Sequence, residues 1–172
     1  MPKKLVIEDR VNDKTSKALN FDFFNHLCKT TGFYPSKIII RRWEKGDDGN
    51  SKDKSQAHTI EDEITFLVLC RKGKIYTREY VDWTMAHEHR HLQQNLNEVL
   101  SKEIASLTRA RAKRTYKTKE AYEFYENGEE DGIDWELVRK LVDWELMLYE
   151  MDAFIFASVV CGYLEPRRRY EP

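Results

Sequence analysis

Five consecutive residues carry the strongest chemical signal in this chain. His87, Glu88, His89, Arg90 and His91 satisfy the spacing H-E-x-x-H. On a helix, side chains four positions apart lie on one face, nearly one above the other. His87 and His91 so arranged can converge on one zinc ion. Glu88 follows His87 by about 100 degrees of helical rotation, near enough to orient and deprotonate a water while leaving coordination to the imidazoles. The pattern points to a metal centre that activates water, with His87 and His91 as ligands and Glu88 as general base.

That chemistry requires the motif to be helical, and its surroundings agree. From Trp83 to Gln94 there is no Gly or Pro. Met85, His89, Leu92, Leu96 and Val99 recur at roughly helical spacing as one apolar stripe, with Leu100 beside it, while His87, Arg90, His91 and Gln94 form another face. His89 lies on the apolar stripe, about 200 degrees from His87. It reads as a packed histidine with a ring nitrogen hydrogen-bonded, not as a ligand.

A catalytic zinc normally keeps three protein ligands and an open position. No histidine follows His91, so a carboxylate must complete the set. The segment WELVRKLVDWELMLYEMDAFIFASVVCGYL reads as a final helix capped by Asp134. It embeds Glu145, Glu150 and Asp152 among apolar residues, where an unpaired carboxylate is expensive. Glu150 is preferred, because Ala153 and Ala157 share nearly its face and would let this helix approach the motif helix closely. Glu145 and Asp152 stand as alternatives, and Arg90 is the ordinary ion-pair partner that would compete with a metal. Asp152 or Asp143 can accept the second ring proton of a ligand histidine.

At these residues the chain resembles the zincin metallopeptidases, particularly small gluzincins that pair H-E-x-x-H with a glutamate on a later helix. Glu150 to Ala157, EMDAFIFA, resembles the E-x-x-A-x-x-F-A segment of the ImmA/IrrE group. His91-Leu92-Gln93-Gln94 is similar to the H-x-x-Q extension of another group of small bacterial and phage-associated peptidases. The resemblance spans about Phe21 to Gly162. It implies His87, His91 and Glu150 as zinc ligands, Glu88 as the base, and zinc-dependent hydrolysis of a peptide bond in a protein or peptide substrate. The interval between the two motifs is longer than that pattern, and no DNA-binding helix-turn-helix is recognisable.

The remaining elements must build a frame for that site. Leu5 to Val11 reads as a short strand or lead-in. Asn20 caps a helix over FDFFNHLCKTTG, with Phe21, Phe24, Leu27 and Cys28 inward, His26 as a surface or packing histidine and Gly32 as its stop. Pro35 to Trp43 reads as a β-branched strand. Residues 44–58 form a polar loop, and no EF-hand spacing supports calcium at Asp47, Asp48 and Asn50. Ile64 to Cys70 and Ile75 to Thr77 read as a hairpin across Arg71-Lys72-Gly73-Lys74. The helical register continues past Gln94 toward Leu107, and residues 101–132 form a helical or partly helical excursion. It holds Tyr116, Tyr122 and Tyr125 and ends at the break Asn127 to Gly132. The expected fold is α+β: a minimal zincin-like domain over 1–172, with a small, mostly antiparallel sheet packed on the motif helix and a long C-terminal helix. A sheet edge beside the metal could hold an extended peptide by backbone hydrogen bonds.

With 172 residues the chain can bury a real core, and 29 basic against 30 acidic residues leave no global field to gather nucleic acid or an anionic membrane. Arg167-Arg168-Arg169 belongs to a solvated tail, 165–172. Three widely spaced cysteines, Cys28, Cys70 and Cys161, suggest reduced thiols. The N-terminus lacks a secretory core, and the uncharged run Ala153 to Leu164 is too short to span a bilayer, so a cytoplasmic location is expected. Two rival functions follow. One is a non-catalytic interaction or structural module with a degenerate metal site. The other is nucleic-acid binding by Arg109, Arg111, Lys113, Arg114, Lys117 and Lys119, which helix-surface solvation explains more simply.

Overall fold

Asn20 starts the first helix by lending its side-chain oxygen to the Phe23 amide, 3.3 Å away. Helix α1 then runs Phe21–Thr31 and stops at Gly32, whose left-handed φ of 79° turns its N–H onto the Cys28 carbonyl. Its inner face buries Phe24, Leu27 and Cys28, with Phe21 half-buried and His26 exposed. The cap, the stop and the buried face all follow the sequence reading. The structure, a computed structural model, describes residues 5–12, 16–42, 57–68, 76–115 and 135–166, with backbone alone at 68, 108–109, 111–115 and 135–144.

Among the described residues four strands precede the motif helix: β1 (Ile7–Asp9), β2 (Lys37–Arg42), β3 (Ala57–Ile60) and β4 (Glu63–Val68). Their order in the sheet is β1-β2-β4-β3. Both β1 and β4 run parallel to β2, and β3 runs antiparallel to β4. The expected mostly antiparallel sheet is therefore corrected to a mixed one, with two of its three pairings parallel. Connection explains the difference: α1 lies between β1 and β2, and a crossover of that length is what joins neighbouring parallel strands.

The expected hairpin is corrected too. β4 finds its antiparallel partner before it, in β3, across Glu61 and Asp62. Ala57 and His58 accordingly open a strand instead of closing the polar loop. After β4, residues 69–75 lie outside those described. Tyr76 forms a lone bridge, and Thr77 accepts the Tyr80 amide at 3.3 Å, so the expected return arm ends as a helix cap.

Helix α2 spans Arg78–Leu96 and contains the whole H-E-x-x-H stretch. Asn97 interrupts the register expected to continue toward Leu107. Its side-chain oxygen accepts the Val99 and Leu100 amides and starts α3, Glu98–Thr115. Met85, His89 and Leu92 of the expected stripe are buried, whereas Leu96 and Val99, at this break, are exposed. Helix α4, Trp135–Cys161, ends at Gly162 (φ 76°), whose N–H reaches the Ser158 carbonyl at 3.0 Å. Asp134, Cys70, Tyr116, Tyr122, Tyr125, Arg167 to Arg169 and the break at 127–132 lie outside the described residues, as do the side chains of Asp143 and of the basic cluster from Arg109 to Lys119.

Contacts divide the chain into two compact units, 1–96 with 153–172, and 97–152. The first holds the sheet, α1, α2 and the last turns of α4. Phe24, Ile38, Ile64, Phe66, Met85 and Leu92 form its main core, and burying such a side chain stabilises the fold by roughly 1.5–3 kcal/mol. A second cluster joins Leu27, Trp83, Ala86 and Ala157. In the second unit Ile104 is buried and Ser101 hydrogen-bonds Tyr149. Among the described residues no helix is long and apolar enough to cross a membrane.

Candidate metal centre

The four-residue spacing does what helical geometry requires. The His87 and His91 Nε2 atoms face each other 3.1 Å apart. Two imidazole nitrogens at that separation repel unless a proton or a cation lies between them. Nitrogens sharing one tetrahedral zinc at about 2.0–2.1 Å stand about 3.3 Å apart, so the pair is already close to ligand spacing. Trp83 stacks on the His87 ring, with centroids 5.1 Å apart and planes 26° from parallel.

Gln94, one turn after His91 and only 1% exposed, defines which nitrogen His91 can offer. Its Oε1 lies 2.7 Å from His91 Nδ1. A carbonyl oxygen only accepts, so Nδ1 carries the proton and the Nε2 lone pair is left to face the site. Sequence reading set Gln94 on the polar face and in the H-x-x-Q resemblance without giving it this task. The spacing of His91 and Gln94, three residues apart on a helix, was the available signal.

Glu88 is buried, at 6% exposure, and points to β3. The Thr59 hydroxyl donates to Glu88 Oε2 at 2.7 Å. The Thr59 hydroxyl thus engages one of the two carboxylate oxygens. Thr59 was missed in the sequence, because nothing local links residue 59 to residue 88; they meet through β3 packing on α2.

His89 is fully buried and turned away from the pair. Its Nδ1 accepts from Gln93 Nε2 at 2.9 Å, and its Nε2–H faces the Phe33 carbonyl at 3.3 Å and Thr31 Oγ1 at 3.2 Å. Phe24 meets the ring edge-on and Phe156 stacks near it. Burial pushes the imidazole down to about 4, so it stays neutral at physiological pH. The packed-histidine reading is what the structure contains. Arg90 donates to Gln93 Oε1 at 2.7 Å and lies over the Phe156 ring.

On α4, Ala153 and Ala157 are both fully buried, and Ala157 packs with Leu27, Trp83 and Ala86. Small residues at these positions let α4 come close, as expected. Glu150 lies less than one turn before Ala153 on the same unbroken helix. His87 and His91 belong to the first unit and Glu150 to the second, and these three are of the types that could hold a metal ion. Among the described residues neither Glu145 nor Asp152 belongs to that set. The burial argument for Glu150 does not hold, however. Its side chain is exposed, as are neighbouring Leu146, Met147 and Met151, so desolvation does not force it onto a partner.

Two imidazoles and a carboxylate suit zinc, a borderline-soft ion that accepts nitrogen and oxygen donors. With the preset His91 tautomer, the donor set fits that ion. No family model, no curated protein and no solved structure matches this chain.

Proposed function

We propose that this chain is a zinc-dependent peptide hydrolase of the small gluzincin kind. The observation that carries this reading is the pair of His87 and His91 Nε2 atoms facing each other 3.1 Å apart on the helix that holds a buried Glu88, one of whose oxygens takes the Thr59 hydroxyl. His87 and His91 would hold the ion through Nε2, and Glu150 through a carboxylate oxygen. When bound, zinc supplies Lewis acidity, which favours ionisation of a water and polarises a carbonyl oxygen. Gln94 keeps His91 in the tautomer that ligation needs. Glu88 takes the proton of the attacking water at Oε1 and delivers it to the leaving amine nitrogen. The substrate class is a peptide in extended form, because among the described residues β3 is the outermost strand of the sheet, beside Glu88, and an extended chain can add to such an edge.

Zinc content and turnover test this together. Zinc-reconstituted protein should carry stoichiometric metal and cut unfolded casein, and chelation should stop the cutting. Glu88→Gln should retain the metal and lose hydrolysis. Protein that takes up no zinc, or a Glu88→Gln variant with undiminished turnover, would refute the reading. An anomalous-scattering map at the zinc edge identifies the ligands directly.

A second reading, an interaction module without catalysis, draws on the exposed apolar side chains of Ile155 and Val159 on α4 and of Leu164 beyond it. It is favoured if chelation changes neither fold nor activity.

A further inference from the structure

The H-E-x-x-H spacing defines the base but contains nothing to aim it. We infer that Thr59 is the positioning residue for Glu88, holding one carboxylate oxygen so that the other faces the reaction. The inference rests on reading Glu88 as the general base.

The geometry gives Thr59 this role in three steps. β3 alternates its side chains, and Ala57 is buried in the core against α2, so Thr59, two residues on, projects to the same side. Its hydroxyl lies 2.7 Å from Glu88 Oε2 and 3.2 Å from the Glu88 carbonyl oxygen. A hydroxyl has one proton to give, and the shorter approach to a carboxylate takes it. A β-branched threonine is also stiff about χ1, so the donor is itself held in place.

A simple strand-to-helix tie would explain the contact less well. β3 already has its seat on α2 without Thr59. Ala57 is embedded in the main core, and Asn95 Nδ2 donates to the Glu61 carbonyl at the end of the strand, 2.8 Å away. What Thr59 adds is control of a carboxylate that would otherwise exchange its two oxygens by rotation. Misplacing a reacting group by about 1 Å can cost on the order of a hundredfold in rate. The same hydroxyl couples the base to the edge strand, so displacement of β3 would be felt directly at Glu88.

The test uses the full chain, zinc-loaded, with acetohydroxamate as probe. Its oxygens suit the metal and its N–O–H proton suits a carboxylate acceptor, so binding reads the position of Glu88 without requiring turnover. Thr59→Val should weaken acetohydroxamate binding about tenfold, the scale of a lost hydrogen bond to a charged group, while Thr59→Ser stays within about threefold of the parent. In a Glu88→Gln background Thr59→Val should add nothing. On casein, Thr59→Val should lower kcat about tenfold with KM unchanged, which a purely structural tie would not do. Crystals of Thr59→Val, with or without metal, should contain Glu88 in a changed rotamer; Thr59→Ala serves if the valine variant does not fold. An unmoved Glu88, unchanged acetohydroxamate binding, or an equal loss in the Glu88→Gln background would overturn the inference. Protein that binds zinc and acetohydroxamate but cuts nothing refutes the hydrolase reading alone, and the double-mutant comparison still decides Thr59. Failure to take up zinc refutes the hydrolase reading, while the metal-free crystals decide the Thr59–Glu88 contact.

Discussion

Replacing Gln94 is the sharpest perturbation of the proposed centre, because Gln94 touches a ligand without being one. In Gln94→Leu the side-chain volume is nearly kept and the 2.7 Å acceptor of His91 Nδ1–H is lost. The His91 ring is then no longer confined to the tautomer that presents Nε2. Losing such a partner typically costs 10–100-fold in metal affinity, or about 1.4–2.7 kcal/mol. The effect is measurable as folding linkage. At free zinc equal to about 100 times the parental Kd, zinc binding stabilises the parent by about 2.7 kcal/mol. At the same zinc concentration the variant should gain about 1.4 kcal/mol if its affinity is tenfold lower, and about 0.4 kcal/mol if a hundredfold lower. Urea unfolding with and without zinc reads this difference, and the zinc-free arm removes any direct effect of leucine on the fold. Gln94→Glu, which retains an acceptor oxygen and adds charge, should bind zinc at least as tightly as the parent. A Gln94→Leu variant with the full 2.7 kcal/mol zinc response would refute the tautomer argument.

His89→Ala should leave zinc affinity within about threefold while destabilising the fold by roughly 2–4 kcal/mol, through the cavity and the orphaned Gln93 and Phe33 partners. Zinc competition with a chromophoric chelator and urea unfolding separate the two effects; a hundredfold loss of zinc affinity with intact stability would make His89 a ligand. Cys28, fully buried, has its thiol pushed by that burial up to about 12 from an ordinary 9.0, so iodoacetamide at pH 8.5 should label it only after unfolding. The linkage sign follows from the raised value. The unfolded thiol gives up its proton above pH 9 while the native one keeps it, so stability present below pH 9 declines up to about pH 12. About 1.4 kcal/mol should be lost from this group by pH 10. Cys28→Ala should lack that part of the alkaline decline, and equal pH slopes in the two proteins would refute it.

Residue spacing alone determined what depends on local geometry. His87 and His91 share a helix face because they are four apart, and His89, two residues from each, cannot join them. Asn20 and Gly32 bound α1 because a cap oxygen and a left-handed backbone are local properties. Ala153 and Ala157 announced a close helix approach by their size, and both are buried. Strand pairing was beyond local reading: β4 pairs with the strand before it, and β2 takes two parallel neighbours, because sheet order is decided by where α1 and the connecting segments return the chain. The apolar neighbours of Glu150 suggested burial that the structure does not contain, since a hydrophobic segment buries its side chains only where another surface meets them. Thr59 belongs to this second group as well. No periodicity joins residue 59 to residue 88, and only the packing of an edge strand on a helix brings a hydroxyl to the base.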